Sequence, residues 1–231
     1  MEKQMAKQVR YLRQVFSHLE EKYGNDKAQA VMAKALKRYD ELLEENKDEP
    51  KAYYMHTRER IYPSISVFDA LLSEGIERKE AENFVTDYYR WRSRGMASKI
   101  KGLFKIPGLY KIMPKFFFSM TERSFGTQAG FASENKYLSK TEMRFDMVKC
   151  PYYDTCVKYG CPEIVKGFCD ADDICYGNMH PRLSWDRTKT IGHGDGVCDC
   201  VPGMAQVLRV KVPSRVFTAK CSEPQAENSN V

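Results

Sequence analysis

The chain reads as an α+β protein, with N-terminal amphipathic helices packed on a C-terminal antiparallel sheet. Three observations carry that reading. Apolar residues recur at spacings of three and four up to about residue 95, and after Gly130 the recurrence shifts towards two. The two patterns also occupy separate stretches and do not alternate, as they would in a parallel βαβ fold.

The first helix carries Val9, Leu12, Phe16, Leu19 and Tyr23 on one face and stops at Gly24. Asn25 or Asp26 is placed to cap the second, whose face is Ala28, Val31, Ala35, Tyr39 and Leu42 and which dissolves into the charged stretch 44–49 before Pro50. A third begins near Ser64, presents Val67, Phe68, Leu71 and Leu72, and ends at Gly75. The fourth uses Phe84, Val85, Tyr88 and Trp91 and ends before Gly95. His18 and His56 stand among surface-type residues and read as solvated or structural side chains.

Residues 99–120 mix Lys101, Lys105, Lys111 and Lys115 with large apolar side chains. A basic amphipathic helix on an anionic membrane would have this composition. Pro107, Gly108 and Pro114 interrupt it, however, so a broken helix over the core or a lid over a pocket fits better. Strands follow: Met143, Phe145 and Met147 alternate with Arg144, Asp146 and Val148, Leu183 and Trp185 with Ser184 and Asp186, and Leu208, Val210 and Val212 with Val207, Arg209 and Lys211. Residues 151–179 are too long and polar for a hairpin and read as one or two short helices broken at Gly160-Cys161-Pro162. The resulting division is a helical half (1–98), a connecting segment or lid (99–128), a Cys-rich α+β half carrying the site (129–221) and a polar, frayed tail (222–231).

Composition narrows the function classes. The 231 residues are 42% hydrophobic, no apolar run approaches the ~18 residues of a membrane span, and the N-terminus has no signal-peptide core, so a cytoplasmic protein without membrane contact is expected. The net charge of +6 is spread among interleaved acids, which argues against nucleic acid as a partner. A reducing compartment makes the eight cysteines free thiols and not a disulfide framework.

Seven of those cysteines fall between residues 150 and 200, together with Asp170, Asp172, Asp173, His180 and Arg187. Cys thiolates with His180 or His193 would suit zinc, but no Cys-x-x-Cys is present and Cys198-x-Cys200 lies on a strand. Thiol chemistry is the second reading. Cys150 precedes Pro151, a common first residue of a helix, so its sulfur sits near a helix N-terminus that would favour the thiolate. Asp172, Asp173 and His180 are candidate proton carriers, and Arg187 can grip a carboxylate with its planar fork. In the third reading cysteines are simply small core residues, which covers Cys156, Cys175 and Cys221. Gly192-His193-Gly194-Asp195-Gly196 lacks the features of a phosphate loop and reads as a tight turn between strands.

The order Cys150-Pro151-Tyr152, Gly160 with Pro162-Glu163, Phe168-Cys169 with Asp172, Tyr176-Gly177, His180-Pro181, Arg187-Thr188 with Thr190, Gly194 and Cys198-Asp199 resembles the L-2-amino-thiazoline-4-carboxylic acid hydrolase family over roughly residues 140–201. The resemblance implies a bacterial hydrolase that opens a small C=N-containing ring in cysteine metabolism, with no redox cofactor. Residue chemistry and family position together give the expected roles: Cys150 or Cys198 as the thiol, Asp172 as the proton carrier supported by Asp199, and Arg187 as the carboxylate clamp, with Cys169 and His180 lining the substrate site. One departure stands out. The family continues Cys-Asp-Phe where this chain has Cys198-Asp199-Cys200, which replaces a pocket aromatic with a small thiol and leaves room for a related heterocycle or small amide. The competing class is a non-enzymatic sensor that encloses a small molecule or metal. The oligomeric state is left open.

Overall fold

A computed structural model describes residues 10–204. Helix α1 (Arg10–Tyr23) buries Tyr11, Leu12, Val15 and Leu19, and the chain reverses on Gly24 alone, whose φ of 78° a side chain would resist. Because the reversal takes one residue, Gly24 itself occupies the N-cap position of α2 (Asn25–Glu45). Asn25 and Asp26 are therefore not caps but first-turn residues, Asn25 bonding Glu20 and Gln29 instead. The face of α2 is as expected, with Met32 added.

The third helix starts earlier than Ser64. A short α3 (Tyr54–His56) continues through a π-helical turn (Thr57–Ile61) into α4 (Tyr62–Ser73). Pro63 supplies the cause. A proline has no N–H for the carbonyl four residues back and its ring collides with it, so the turn ahead of it widens. The Tyr62 N–H bonds the Thr57 carbonyl, and Ser64 Oγ takes the Arg60 carbonyl at 2.7 Å. Glu49 pins the turn from outside, accepting from Thr57 Oγ1, Arg58 Nε and Tyr62 OH at 3.0, 2.8 and 2.9 Å.

Helix α5 (Arg78–Leu103) opens on Glu77, whose carboxylate caps the Lys79 and Glu80 amides. It runs past Gly95, through the expected boundary at residue 98. A helical glycine costs only about 1 kcal/mol, and the residues around it are good helix formers. Trp91 is 48% exposed, lying against His18 and not in the core. After a short 3₁₀ turn (Leu109–Ile112), α6 (Met113–Ser124) carries Pro114 in its first turn.

The sheet holds β1 (Ala132–Leu138), β2 (Met143–Lys149), β3 (Leu183–Asp186) and β4 (Cys198–Met204), antiparallel in the order β1-β2-β4-β3. Helix α6 packs against β1, β2 and β4, and Tyr176, from the helix before β3, packs on Trp185, while α1 and α2 pack mainly on the other helices. Phe145 pairs with Cys200 and Met147 with Cys198, so both thiols share the buried face of β2. Between β2 and β3 stand α7 (Pro151–Lys158) and α8 (Val165–Tyr176), separated at Gly160-Cys161-Pro162 as expected. α8 packs closely on α5: a Cβ on Gly167 would lie 3.0 Å from Thr86 Cα. All seven described cysteines are free thiols. Among the described residues no helix is long and apolar enough to cross a membrane. The expected strand at 207–212, the tail, Val9 and Cys221 lie outside the described residues.

Candidate active site

The first turn of α7, the exposed side of α8 and the start of β4 bring their polar side chains to one place, and the π turn adds one more from the helical half. Arg187, just past β3, organises it. Its guanidinium is almost fully buried, at 3% side-chain exposure, and it donates from Nη2 to Asp173 Oδ1 at 2.8 Å and to the Cys169 carbonyl at 2.6 Å. Its Nη1 reaches Asp172 Oδ2 at 3.5 Å, and its Nε–H has no partner among the described residues. Burial works against the charge, but the two aspartates outweigh it and hold Arg187 protonated.

Asp172 is the titrating group. Its side chain is half open to water yet crowded by protein atoms. Burial raises its pKa to about 6, with Arg187 and Arg60 pulling the other way and Asp173 adding to the rise. A carboxyl poised there is both proton acceptor and donor near neutrality. Asp199 is different in kind. It accepts from the Thr188 amide at 2.8 Å, the Thr188 hydroxyl at 2.6 Å and the Lys189 amide at 2.6 Å. Burial is outweighed by these bonds and its pKa falls, so it stays ionised as the anchor that ties the segment after Arg187 to β4.

The thiols surround this pair. Cys150 is the N-cap residue of α7, as its place before Pro151 implied, and its sulfur lies near the Tyr152 and Tyr153 amides without making a capping hydrogen bond. That geometry favours the thiolate, but desolvation wins and pushes the thiol up to about 12. Cys198 accepts the Ile191 amide at 3.3 Å and is also pushed up by burial, as are Cys169, to about 12, and Cys200. The helix terminus is present but does not activate Cys150. Cys169 is held under the β3–β4 connection, where an added Cβ at Gly192 would come within 2.6 Å of its sulfur. That glycine lets the connection lie flat on α8, and Gly194 turns it with a φ of 95°.

His180 joins a different set. Its ring stacks on Tyr110 at 4.7 Å and accepts the Arg182 amide at 3.0 Å, in a recess of about 310 Å³ with Lys101, Lys105 and Met179. His193, to which no role was carried, bonds Thr190 Oγ1 at 2.6 Å and pairs with Asp170 at 3.2 Å.

Sequence reasoning missed three members. His56, read as solvated or structural, is completely buried. Its Nε2 lies 2.7 Å from the Ser124 carbonyl, which can only accept, so Nε2 carries the proton and Nδ1 accepts the Tyr152 hydroxyl at 3.1 Å. Burial lowers its pKa to about 4, so the ring is neutral at physiological pH. Arg60, from the π turn, donates from Nη1 to the same hydroxyl at 3.1 Å, and its charge is felt by Asp172, Cys175 and Tyr176. Tyr152 is itself buried against Phe168 and Phe131. Its position after Cys150-Pro151 was the one signal pointing here. Among the described residues no group of three or more His, Cys, Asp or Glu side chains is placed to share a metal ion.

A family model described as L-2-amino-thiazoline-4-carboxylic acid hydrolase matches residues 54–201. The chain belongs to that family. The match opens at Tyr54, where α3 begins, so it takes in His56 and Arg60 as well as the Cys-rich block that carried the resemblance. No curated protein matches, and no solved structure does.

Proposed function

We propose that this family member is a hydrolase acting on a small cyclic amidine or thioimidate of the 2-amino-thiazoline-4-carboxylate type, with Asp172 as its proton carrier. The observation that carries the reading is a carboxyl raised to about pH 6, half open to water, beside the buried guanidinium of Arg187. Family membership supplies the substrate class. In this chemistry water adds to the ring carbon that bears two nitrogens and the sulfur. Asp172 takes one proton from the water as the C–O bond forms, then returns it to the ring atom that leaves as the tetrahedral centre collapses. One water is consumed and one carbamoylated cysteine is produced, whichever of the two ring bonds opens.

Arg187 is assigned the task of fixing Asp172 and Asp173, since two carboxylates already meet its charge. Asp199 positions the segment that follows it. Cys150, Cys198 and Cys169 remain protonated and form walls of the site, where the small Cys200 stands in place of the family's aromatic. His180 is assigned no contact with substrate. We further propose that no metal or redox cofactor takes part and that the protein acts in the cytoplasm. The test is incubation of purified, metal-analysed protein with L-2-amino-thiazoline-4-carboxylate. The expected result is loss of the ring and a product one water heavier; a folded protein without turnover would overturn the reading.

A further inference from the structure

The guanidinium of Arg60 is set among the side chains of the site and has one hydrogen bond to show for it, from Nη1 to the neutral hydroxyl of Tyr152. Among the described residues no carboxylate lies within ion-pair distance of it, although Asp172 feels its charge. Arg187, by contrast, has two carboxylates and a carbonyl. A partly buried cation without an anion is costly unless something completes it. Tyr152 cannot do so, because burial keeps its own hydroxyl protonated, at about 12, and that proton is given to His56. A second unfilled donor belongs to the same cluster: the buried Arg187 Nε–H also lacks an acceptor.

The backbone beneath Arg60 is specialised as well. It sits in a π turn, which adds a residue to one helical turn and re-aims the side chains that follow, and such turns concentrate at functional sites. The turn is held by Glu49 on one side and by Ser64 on the Arg60 carbonyl. The side chain is therefore presented by a fixed backbone. An arginine so placed is suited to a carboxylate, whose two oxygens match two of its N–H groups.

We infer that Arg60 is the subsite for the carboxylate of the ligand, holding a small anionic heterocycle with its reactive carbon towards Asp172. This rests on the reading of the site as one for a ring of that class, and it moves the clamp from the Cys-rich half to the helical half. His56 and Tyr152 form the back of the subsite: the neutral imidazole fixes the hydroxyl, and the hydroxyl fixes one arm of the fork.

The test uses L-thiazolidine-4-carboxylate, which has no amidine carbon to hydrolyse, and thiazolidine, which lacks the acid. Binding of each is measured by calorimetry to wild-type protein, Arg60→Met and Arg60→Lys, all checked by circular dichroism. Wild type is expected to prefer the acid, Arg60→Met to bind it about 10- to 100-fold more weakly and to lose the preference, and Arg60→Lys to fall between. Equal affinity of wild type for the two rings, or an unchanged preference in Arg60→Met, would overturn the assignment; if Arg60→Met does not fold, an unchanged preference in Arg60→Lys would do the same. Turnover of L-2-amino-thiazoline-4-carboxylate, measured on the same preparations, separates the two claims. A preserved carboxylate preference without turnover sinks the reaction and keeps the subsite, while turnover with no rise in KM for Arg60→Met sinks the subsite alone.

Discussion

The two arginines of the site reach it from opposite halves of the chain, and their surroundings differ. Arg187, at the end of β3, is closed in by Asp172, Asp173 and the Cys169 carbonyl. Arg60, in the π turn, hydrogen-bonds a single hydroxyl among the described residues. A buried cation with resident carboxylates is part of the architecture and tunes the acids beside it. One without them is free to meet an anion from outside. Arginine at a site is therefore not evidence of a clamp until its internal partners have been counted.

Changing Arg187 should have the largest effect, because it removes structure and tuning together. Arg187→Met is expected to lower stability by about 3 kcal/mol in urea unfolding, as for a broken buried pair. It should also move the pKa of Asp172 upwards, since the guanidinium now lowers it. A stability within 0.5 kcal/mol of wild type, on the order of a surface substitution, would make the two arginines equivalent.

His56 tests the other wall. Its folded pKa of about 4 lies below its unfolded value near 6.5, so the unfolded chain takes up a proton that the folded one refuses. Its contribution is complete above about pH 6.5 and is lost as pH falls towards 4, to the extent of about 3 kcal/mol. Asp172 works in the opposite sense between about pH 4 and 6, because its folded pKa is raised. The comparison of interest is therefore wild type against His56→Gln. The variant should lack the acid-dependent loss, and parallel stability curves for the two would show that His56 is not buried neutral.

The smallest effects belong to the thiols. With Cys150 pushed up to about 12 and Cys198 raised too, neither is a thiolate at neutral pH. Cys150→Ser and Cys198→Ser should keep turnover within about 10-fold of wild type, because the proposed reaction uses these protonated thiols as walls and not as nucleophiles. A loss of roughly a thousandfold in either, with the fold intact, would restore the covalent route.

The apolar stripes of α1 and α2 and the alternation in β2 were legible because each depends on neighbours a few residues away. The block of acids and thiols was legible by chemistry, and it named Asp172 and Arg187, which the fold brings within 3.5 Å of each other. What was not legible depends on distance along the chain. Arg60 and His56 take their meaning from Tyr152, which is 92 and 96 residues further on. The third helix was placed from Ser64 on its apolar face, and only the widened turn ahead of Pro63 reconciles that start with a helix that already runs from Tyr54. The fate of the Cys150 sulfur was likewise a contest between a local influence, the helix terminus, and a tertiary one, burial. Only the first is written near the residue. The end of α5 was misplaced at Gly95 because a glycine signals a stop only where the flanking residues agree.

The account stands on Asp172 as the group that moves the proton, and the pH dependence of kcat/KM on L-2-amino-thiazoline-4-carboxylate tests it most directly. Wild type should rise through a single ionisation at about pH 6 as the carboxylate forms, and Asp172→Asn should lose on the order of a thousandfold in rate together with that limb. An unchanged acid limb in Asp172→Asn, at a rate near that of wild type, would contradict the account and return the search to the thiols.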